Sequence, residues 1–462
     1  MNEKNNEINV YNPYNNEIVG TVKRQNKKEV KETILLSNNA KKEIKEFSAR
    51  KISNLLYDAF EELKNRKKEL AELITQETGK PIKDSIVEMQ RSIETLKFSA
   101  EEAKRLYGES VPLDAGFGGK EFFAFTQKIP LGLVVAITPF NYPVNLAIHK
   151  IGPAIASKNT AILKPSMKAP LAAIEMCKTI EKQFPKGVLN IVTGHSSEIS
   201  NELIKNENVN KISFTGSVEV GNLIANNAGA KKISLELGGN DPLVVLKDAD
   251  IEKAVKGAVI GSYLFSGQVC MGVKRIILDK SIADEFIDKF KKETEKLKIG
   301  NPMSNKTDIG PLIDINAAKI VENSVTNALK NGAELISGGK RKDNFYLPTI
   351  LDNVQSSMEI VENELFGPVA PIIRVNDSDE AIKIANNTKY GLQAGVYTEN
   401  MKDGLRAAEE IEAGSVFINK QSTFRTDNMP FGGIKSSGLG KEGVKYAIEE
   451  MVETKLIGFN LR

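Results

Sequence analysis

Between residues 133 and 237 the chain alternates short apolar runs with stretches of helical periodicity. No other feature restricts its fold as strongly. The runs are "LVVAI" (133–137), "TAIL" (160–163), "VLNIV" (188–192), "KISF" (211–214) and "KISLEL" (232–237). Between them lie the helical patterns "VNLAIHKIGPAIA", "LAAIEMCKTIEKQF", "SEISNELIKN" and "VEVGNLIANNA". Strands buried on both faces read as such runs, and this alternation predicts an α/β fold, a parallel sheet with crossover helices. Sheets of this kind bind ligands beyond the carboxyl ends of their strands. A second α/β run begins near Pro242 with "PLVVL", passes through a helix over 250–265 and the strand "RIIL" (275–278), and reaches about Asn419. Two cores also suit the length, since 462 residues exceed what one ordinary core organises.

Upstream, residues 28–77 read as helical, with Ile52, Leu55, Leu56, Ala59, Leu63, Leu70 and Leu73 at helical spacing. Gly79 and Pro81 in "ETGKP" mark the stop. Two further segments, "KEFFAFTQKIP" (120–130) and the tail "TKLIGFNLR" (454–462), read as strands outside both cores. Exposed strand edges commonly pair with another subunit, so a homo-oligomer is expected.

Charge excludes several partners. Lys plus Arg is 63 and Asp plus Glu is 60, a formal net charge of +3, which gives no reason to expect nucleic acid or an acidic membrane surface. The N-terminus "MNEKNNEINV" has no apolar signal core, and runs such as "LGLVVAI" (131–137) are too short to span a bilayer. Cys177 and Cys270 make no disulfide framework. Together these features point to the cytoplasm. His149 and His195 are the only histidines, no Cys/His cluster has zinc spacing, and no metal is expected.

The chemistry concentrates in loops. "KISFTGSVEVG" ends a strand at Phe214, turns at Gly216 and offers Ser217 as an N-cap. The free N–H groups of the following helix suit a pyrophosphate, and Gly221 lets helix and strand pack closely; the alternative is a plain strand–helix turn. The only G-x-G-x-x-G match, Gly438 to Gly443, follows no strand, so it reads better as a turn before "VKYAIEEM". In "AILKPS", Lys164 at a strand's end reaches a ribose or phosphate, or is simply solvated. Cys270 in "YLFSGQVCMG" is either a nucleophile or a packed small hydrophobe. With no histidine in a recognisable catalytic setting, the candidate base is Glu236 in "SLELGGND", whose burial would raise its pKa; the alternative is a strand-end acid in a salt bridge. Asn141 in "TPFNYPVN" offers an uncharged amide to an oxyanion.

Taken together and in order, "TPFNYP", "LKPS", "FTGSVEVG", "LELGGNDP", "GQVC", "ELFGPV" and "MPFGGIKSSGLG" resemble the NAD(P)-dependent aldehyde dehydrogenase superfamily over almost the whole chain. The resemblance implies Cys270 as nucleophile, Glu236 as base and Asn141 as oxyanion donor. It implies Lys164, Ser166, Gly216, Ser217 and Gly221 on the cofactor's adenosine and phosphates, and Glu364 and Phe366 near its nicotinamide ribose. It implies a Rossmann-type cofactor domain (1–112 and 132–236), a catalytic domain (237–431) and a small β element (113–131 and 432–462) that builds dimers or tetramers. NAD is the expected cofactor. Met167 and Lys168 follow the lysine motif where NAD-preferring members often carry an acid, so NADP is also admitted. The wording is most similar to the archaeal branch that oxidises lactaldehyde to lactate in coenzyme biosynthesis. Non-phosphorylating glyceraldehyde-3-phosphate and succinate semialdehyde dehydrogenases are the neighbouring alternatives. Arg425 in "STFRTDNMPF" is either a substrate contact or a structural surface arginine. A catalytically silent cofactor-binding relative and a coenzyme A-acylating enzyme are the competing functions. Glu236 argues against the second, because members that pass the acyl group to coenzyme A lack that residue.

Overall fold

The computed structural model describes residues 6–461; residues 1–5 and Arg462, the last residue of the expected tail strand, lie outside it. The first α/β run forms a six-stranded sheet in the order Gly438–Leu439, Lys232–Glu236, Lys211–Thr215, Leu133–Ile137, Thr160–Lys164 and Leu189–Ile191. The last five strands are parallel, as the alternation predicts, and only Gly438–Leu439 runs antiparallel. The three central strands, 211–215, 133–137 and 160–164, are buried at nearly every position, which explains their unbroken apolar wording. The G-x-G-x-x-G match is thus a short edge strand followed by a turn, and Gly443 precedes the helix Val444–Glu449.

The second run is a seven-stranded sheet, ordered Glu334–Ser337, Thr349–Asp352, Val369–Val375, Val273–Asp279, Asp241–Val245, Gln393–Tyr397 and Ser415–Ile418. All its pairings are parallel except the first. Ahead of the first sheet, the region expected to be helical is three helices, Lys27–Lys45, Ala49–Asn65 and Lys67–Thr78, with a fourth over Ile82–Glu102. Asn26 and Glu29 form a capping box on the first, Ser48 caps the second, and Gly79 ends the third in a left-handed conformation, φ +74°. The hairpin Glu7–Tyr11/Ile18–Lys23 carries no run strong enough to read in advance.

The two outlying segments pair with each other. Val452–Asn460 runs antiparallel along Phe122–Pro130, and Ser110–Val111 adds a short third strand. Among the described residues no helix is long and apolar enough to cross a membrane.

Candidate active site

The carboxyl ends of the first sheet's strands face the start of the second lobe across a cleft of about 810 Å³. One end of the cleft is built from backbone. Strand Lys211–Thr215 stops, Gly216 turns, and Ser217 Oγ accepts the N–H of Val220 to cap the helix Val218–Asn227. Gly216 and Ser217 both line the cleft, while Gly221 lies one turn inside. A Cβ on Gly221 would fall 2.5 Å from the Leu237 side chain, so close packing of helix on strand requires glycine here. Lys164 and Ser166 leave the neighbouring strand into the same cleft. Lys164 is 4% exposed, its ammonium reaches only the Pro165 carbonyl at 3.5 Å, and burial pulls its pKa down to about 8. Thr138 and Thr215 also line the cleft, and their buried hydroxyls have no hydrogen-bond partner. Such buried donors are costly unless something satisfies them. A molecule bringing phosphate and ribose oxygens would do so, so these residues fit a dinucleotide.

At the other end stands Cys270. The helix Ile251–Tyr263 breaks into three left-handed residues, Phe265 (φ +47°), Ser266 (φ +54°) and Gly267 (φ +74°). The first two are not glycine, and a run of this kind survives only where its surroundings hold it. Ser266 Oγ donates to the Gly310 carbonyl at 2.8 Å, and Lys274 Nζ donates to the Gly267 carbonyl at 2.6 Å. The turn delivers Cys270, half-buried, to the cleft wall. Burial, reinforced by the nearby Glu364, pushes its thiol up to about 12. Asn141 Nδ2 donates to the Gln268 carbonyl at 3.0 Å, which sets an amide two residues from the sulfur's own position. Cys177, by contrast, is a packed core residue on the helix Leu171–Glu181.

Glu236 ends the strand Lys232–Glu236 and is only 3% exposed. It lies outside the cleft lining, and neither of its oxygens has a hydrogen-bond partner. The glycines after it pack onto the cysteine loop: a Cβ at Gly239 would lie 2.6 Å from the Cys270 carbonyl. Burial first, and then the Glu442 charge, raises the Glu236 carboxyl well above its usual value. Burial also works against ionised Glu442, but the Lys150 ammonium at 2.7 Å and the Arg425 guanidinium at 3.0 Å outweigh it and hold Glu442 far below the usual carboxylate range. Glu442 therefore keeps the charge and Glu236 the proton. Glu364 lies against Gly238 and accepts the Gly239 N–H at 3.2 Å. Burial, moderated by Lys274, lifts Glu364 to about 7. Phe366 completes this side, with Lys274 Nζ 5.0 Å from its ring centroid.

Arg425 is neither on the cleft wall nor at the surface. Its side chain is 3% exposed, stacked on Phe431 at 3.8 Å, and paired with Glu442 and with His149 Nε2 at 3.2 Å. His149 in turn contacts Asp427 at 2.8 Å, and Asp427 accepts two bonds from Arg91. The sequence reading passed over Lys150, Glu442, Asp427 and Arg91. One signal was available: His149 and Lys150 interrupt an otherwise apolar helix, Asn145–Ala156, in which every residue is buried. It also passed over Lys80 and Glu88, a fully buried ion pair beneath both loops. Lys80 Nζ lies 3.7 Å from the Tyr142 ring centroid and 4.7 Å from that of Phe265, and Glu88 accepts the N–H groups of Val144 and Asn145.

A half-buried thiol on the wall of a cleft that also holds a free helix N-terminus is the arrangement that suits a dinucleotide-dependent enzyme. The aldehyde dehydrogenase family profile matches residues 1–457, and the chain belongs to that family, whose members depend on NAD or NADP. It is 48% identical to a lactaldehyde dehydrogenase of Methanococcus aeolicus over 465 residues, 99% of this chain and 98% of that one. It is 45% identical to that of Methanococcus maripaludis, covering 98% and 97%. Among solved structures, the glyceraldehyde-3-phosphate dehydrogenase GapN of Methanocaldococcus jannaschii complexed with NADP superposes with a TM-score of 0.95 at 44% identity, covering 99% of this chain and 100% of that one. The betaine aldehyde dehydrogenase of Staphylococcus aureus in complex with NAD+ superposes with a TM-score of 0.95 at 32% identity, covering 100% and 93%.

Proposed function

We propose that the protein oxidises lactaldehyde to lactate through a thioester on Cys270. One arrangement carries the chemistry: a half-buried thiol on the cleft wall, an amide fixed beside its loop, and an unpartnered buried carboxyl on the strand whose following glycines pack onto that loop. Bound at Gly216, Ser217 and Lys164, the dinucleotide supplies the two-electron acceptor. The chain's own residues do the rest. Cys270 Sγ gives its proton to solvent and the thiolate bonds to the aldehyde carbon, whose C=O π electrons move onto oxygen. The Asn141 amide and the Cys270 N–H hydrogen-bond the resulting oxyanion, each worth about 3–4 kcal/mol in the transition state. After oxidation to the thioester, Glu236, once deprotonated, takes a proton from water. The water oxygen bonds to the acyl carbon, the C–S bond breaks, the acid is released, and the proton held by Glu236 returns to the sulfur. Lys150 and Arg425 act on Glu236 in two opposed ways: their charges pull its pKa down directly, and by keeping Glu442 ionised they help push it up.

The substrate reading is supported by the curated relatives named lactaldehyde dehydrogenase at 48% and 45% identity. It is also supported by two guanidinium groups that already carry partners. Arg425 already holds Glu442 and Arg91 already holds Asp427, an arrangement that suits a small uncharged aldehyde. A second reading, oxidation of glyceraldehyde 3-phosphate, draws on the neighbour named for that activity and needs Arg425 to release Glu442 and clamp the phosphate. A kcat/KM panel over lactaldehyde, glyceraldehyde 3-phosphate and succinate semialdehyde separates them. Lactaldehyde leading by about tenfold or more is expected, a difference of about 1.4 kcal/mol in transition-state binding. If the phosphate substrate leads and Arg425→Ala removes only that lead, the second reading stands. Silence with all three and either dinucleotide would mark a non-catalytic relative, and product only with coenzyme A an acylating one.

We assign cofactor binding to residues 1–112 and 132–236, catalysis to 237–431, and assembly into a cytoplasmic dimer or tetramer to 113–131 and 432–462. Exposed Phe122, Phe123, Leu456 and Phe459 on the three-stranded sheet support the last assignment.

A further inference from the structure

Within the Cys270 turn lies a buried cation that, among the described residues, forms no ion pair. Lys274 is the second residue of the strand Val273–Asp279, which is buried at every position, and is itself only 4% exposed. The next residue, Arg275, points to the opposite face of the strand. There its guanidinium is spread over the main-chain carbonyls of Asn240, Ile384 and Ala385 at 2.9, 2.9 and 3.0 Å. Lys274 is held far less. Of its three donors one is used, on the Gly267 carbonyl. That bond closes residues 267–274 into a ring that contains Cys270, and a Cβ on Gly272 would lie 3.2 Å from the ammonium. The charge therefore sits inside the turn that carries the sulfur. A buried, unpaired ammonium is costly, and a neutral amide or thioether of similar length would fill the same space.

We propose that Lys274 is a positioning residue that favours the Cys270 thiolate, by keeping an uncommitted positive charge inside the turn. The inference rests on Cys270 being the nucleophile. The thiol proton leaves to solvent through the cleft, and the charge left on sulfur is offset by the ammonium. The other groups facing Cys270 do not supply that charge. They are Glu236 and Asp241 from the ends of two strands, Glu364 from the segment ahead of Phe366, Tyr142 from the Asn141 loop, and Arg425. Burial raises the Glu236 and Asp241 carboxyls well above their usual values and pushes the Tyr142 phenol up, so all three stay neutral near pH 7. Glu364, once ionised, opposes a thiolate. Arg425 is cationic but already paired with Glu442, and Lys80 beneath the turn is paired with Glu88. Burial pulls the Lys274 ammonium's own pKa down, and Glu364, Asp241 and Cys270 itself act against that.

The test is alkylation of the full chain by iodoacetamide across a pH series, without dinucleotide or aldehyde, with modification of Cys270 followed by peptide mass spectrometry. The rate climbs with the thiolate fraction, so its midpoint reads the ionisation of Cys270. Cys177 is sealed in the core, and its alkylation reports unfolding. Lys274→Gln keeps a donor for the Gly267 carbonyl and removes the charge, Lys274→Met removes both, and Lys274→Arg keeps the charge. Both neutral variants are expected to raise the midpoint by about one pH unit or more, and Lys274→Arg to leave it at or below the parent's. A lysine that merely braced the turn would alter the limiting rate at high pH and leave the midpoint in place. If Lys274→Gln stays within about 0.3 unit of the parent, whatever Lys274→Met does, the charge plays no part and the proposal fails. Should both neutral variants expose Cys177, Lys274→Arg decides: a midpoint about one unit above the parent's overturns the proposal, and one at or below it upholds it. Unsubstituted protein that still oxidises aldehyde at full rate after Cys270 is alkylated would instead overturn the thioester reading itself.

Discussion

At the scale of single residues, the site sets two carboxyl groups apart by surroundings alone. Glu442 has two cations within 3.0 Å and stays charged, whereas Glu236 has no hydrogen-bond partner and stays neutral. The sign for activity follows. A base must lose its proton to work, so hydrolysis of the thioester should rise with pH and level off above Glu236's raised pKa. Glu442→Gln removes the charge that helps raise it, and the rising limb of the kcat–pH profile should move to lower pH. Glu236→Gln should cut steady-state turnover by about 10²–10⁴-fold while leaving a burst of about one equivalent of reduced cofactor in stopped-flow, since acylation does not need this base. Folding carries the opposite sign. A carboxyl raised by burial contributes its stability below the unfolded value near 4.5 and loses it as pH climbs through the folded value. Glu236→Gln should therefore raise the melting temperature more at pH 8 than at pH 5. Cys270 and Glu236 stood out as candidates because a cysteine flanked by glycines and a strand-end glutamate just ahead of two glycines are conspicuous in sequence. Lys150 and Glu442 did not, since each looks like an ordinary charge until a distance of 292 positions in sequence is closed by the fold.

At the scale of elements, strand–helix junctions were the most legible part of the chain. The apolar runs and the caps at Ser217 and Gly79 carry their geometry locally. The hairpin at 7–23 and the outer strands of the second sheet were obscure, because pairing between distant segments, rather than local wording, defines them. The same distinction governs damage. Gly221→Val would drive a branched side chain into Leu237, and a loss of about 1–3 kcal/mol in chemical denaturation is expected, together with weaker dinucleotide binding. The Lys80–Glu88 pair is the opposite case, a long-range prop with no local signature. Lys80→Met strands Glu88 in an apolar setting beneath the Asn141 and Cys270 loops. It should cost about 3–5 kcal/mol by urea titration.

At the scale of the whole molecule, the three-stranded sheet leaves Phe123 and Phe459 uncovered, 6.5 Å apart between ring centroids. Phe459→Asp should therefore reduce the sedimentation coefficient to that of a smaller assembly, with the first sheet intact. The segment 438–452 completes the surroundings of Glu236. Gly438–Leu439 closes the open side of the strand bearing Glu236, Glu442 supplies that residue's neighbour, and the Val452 and Met451 carbonyls are held by Lys232 and Asn159. In order of synthesis Cys270 therefore precedes the group whose charge helps hold the proton on Glu236. Until residues 438–452 are made and docked, the strand bearing Glu236 keeps an open edge for chaperones to shield.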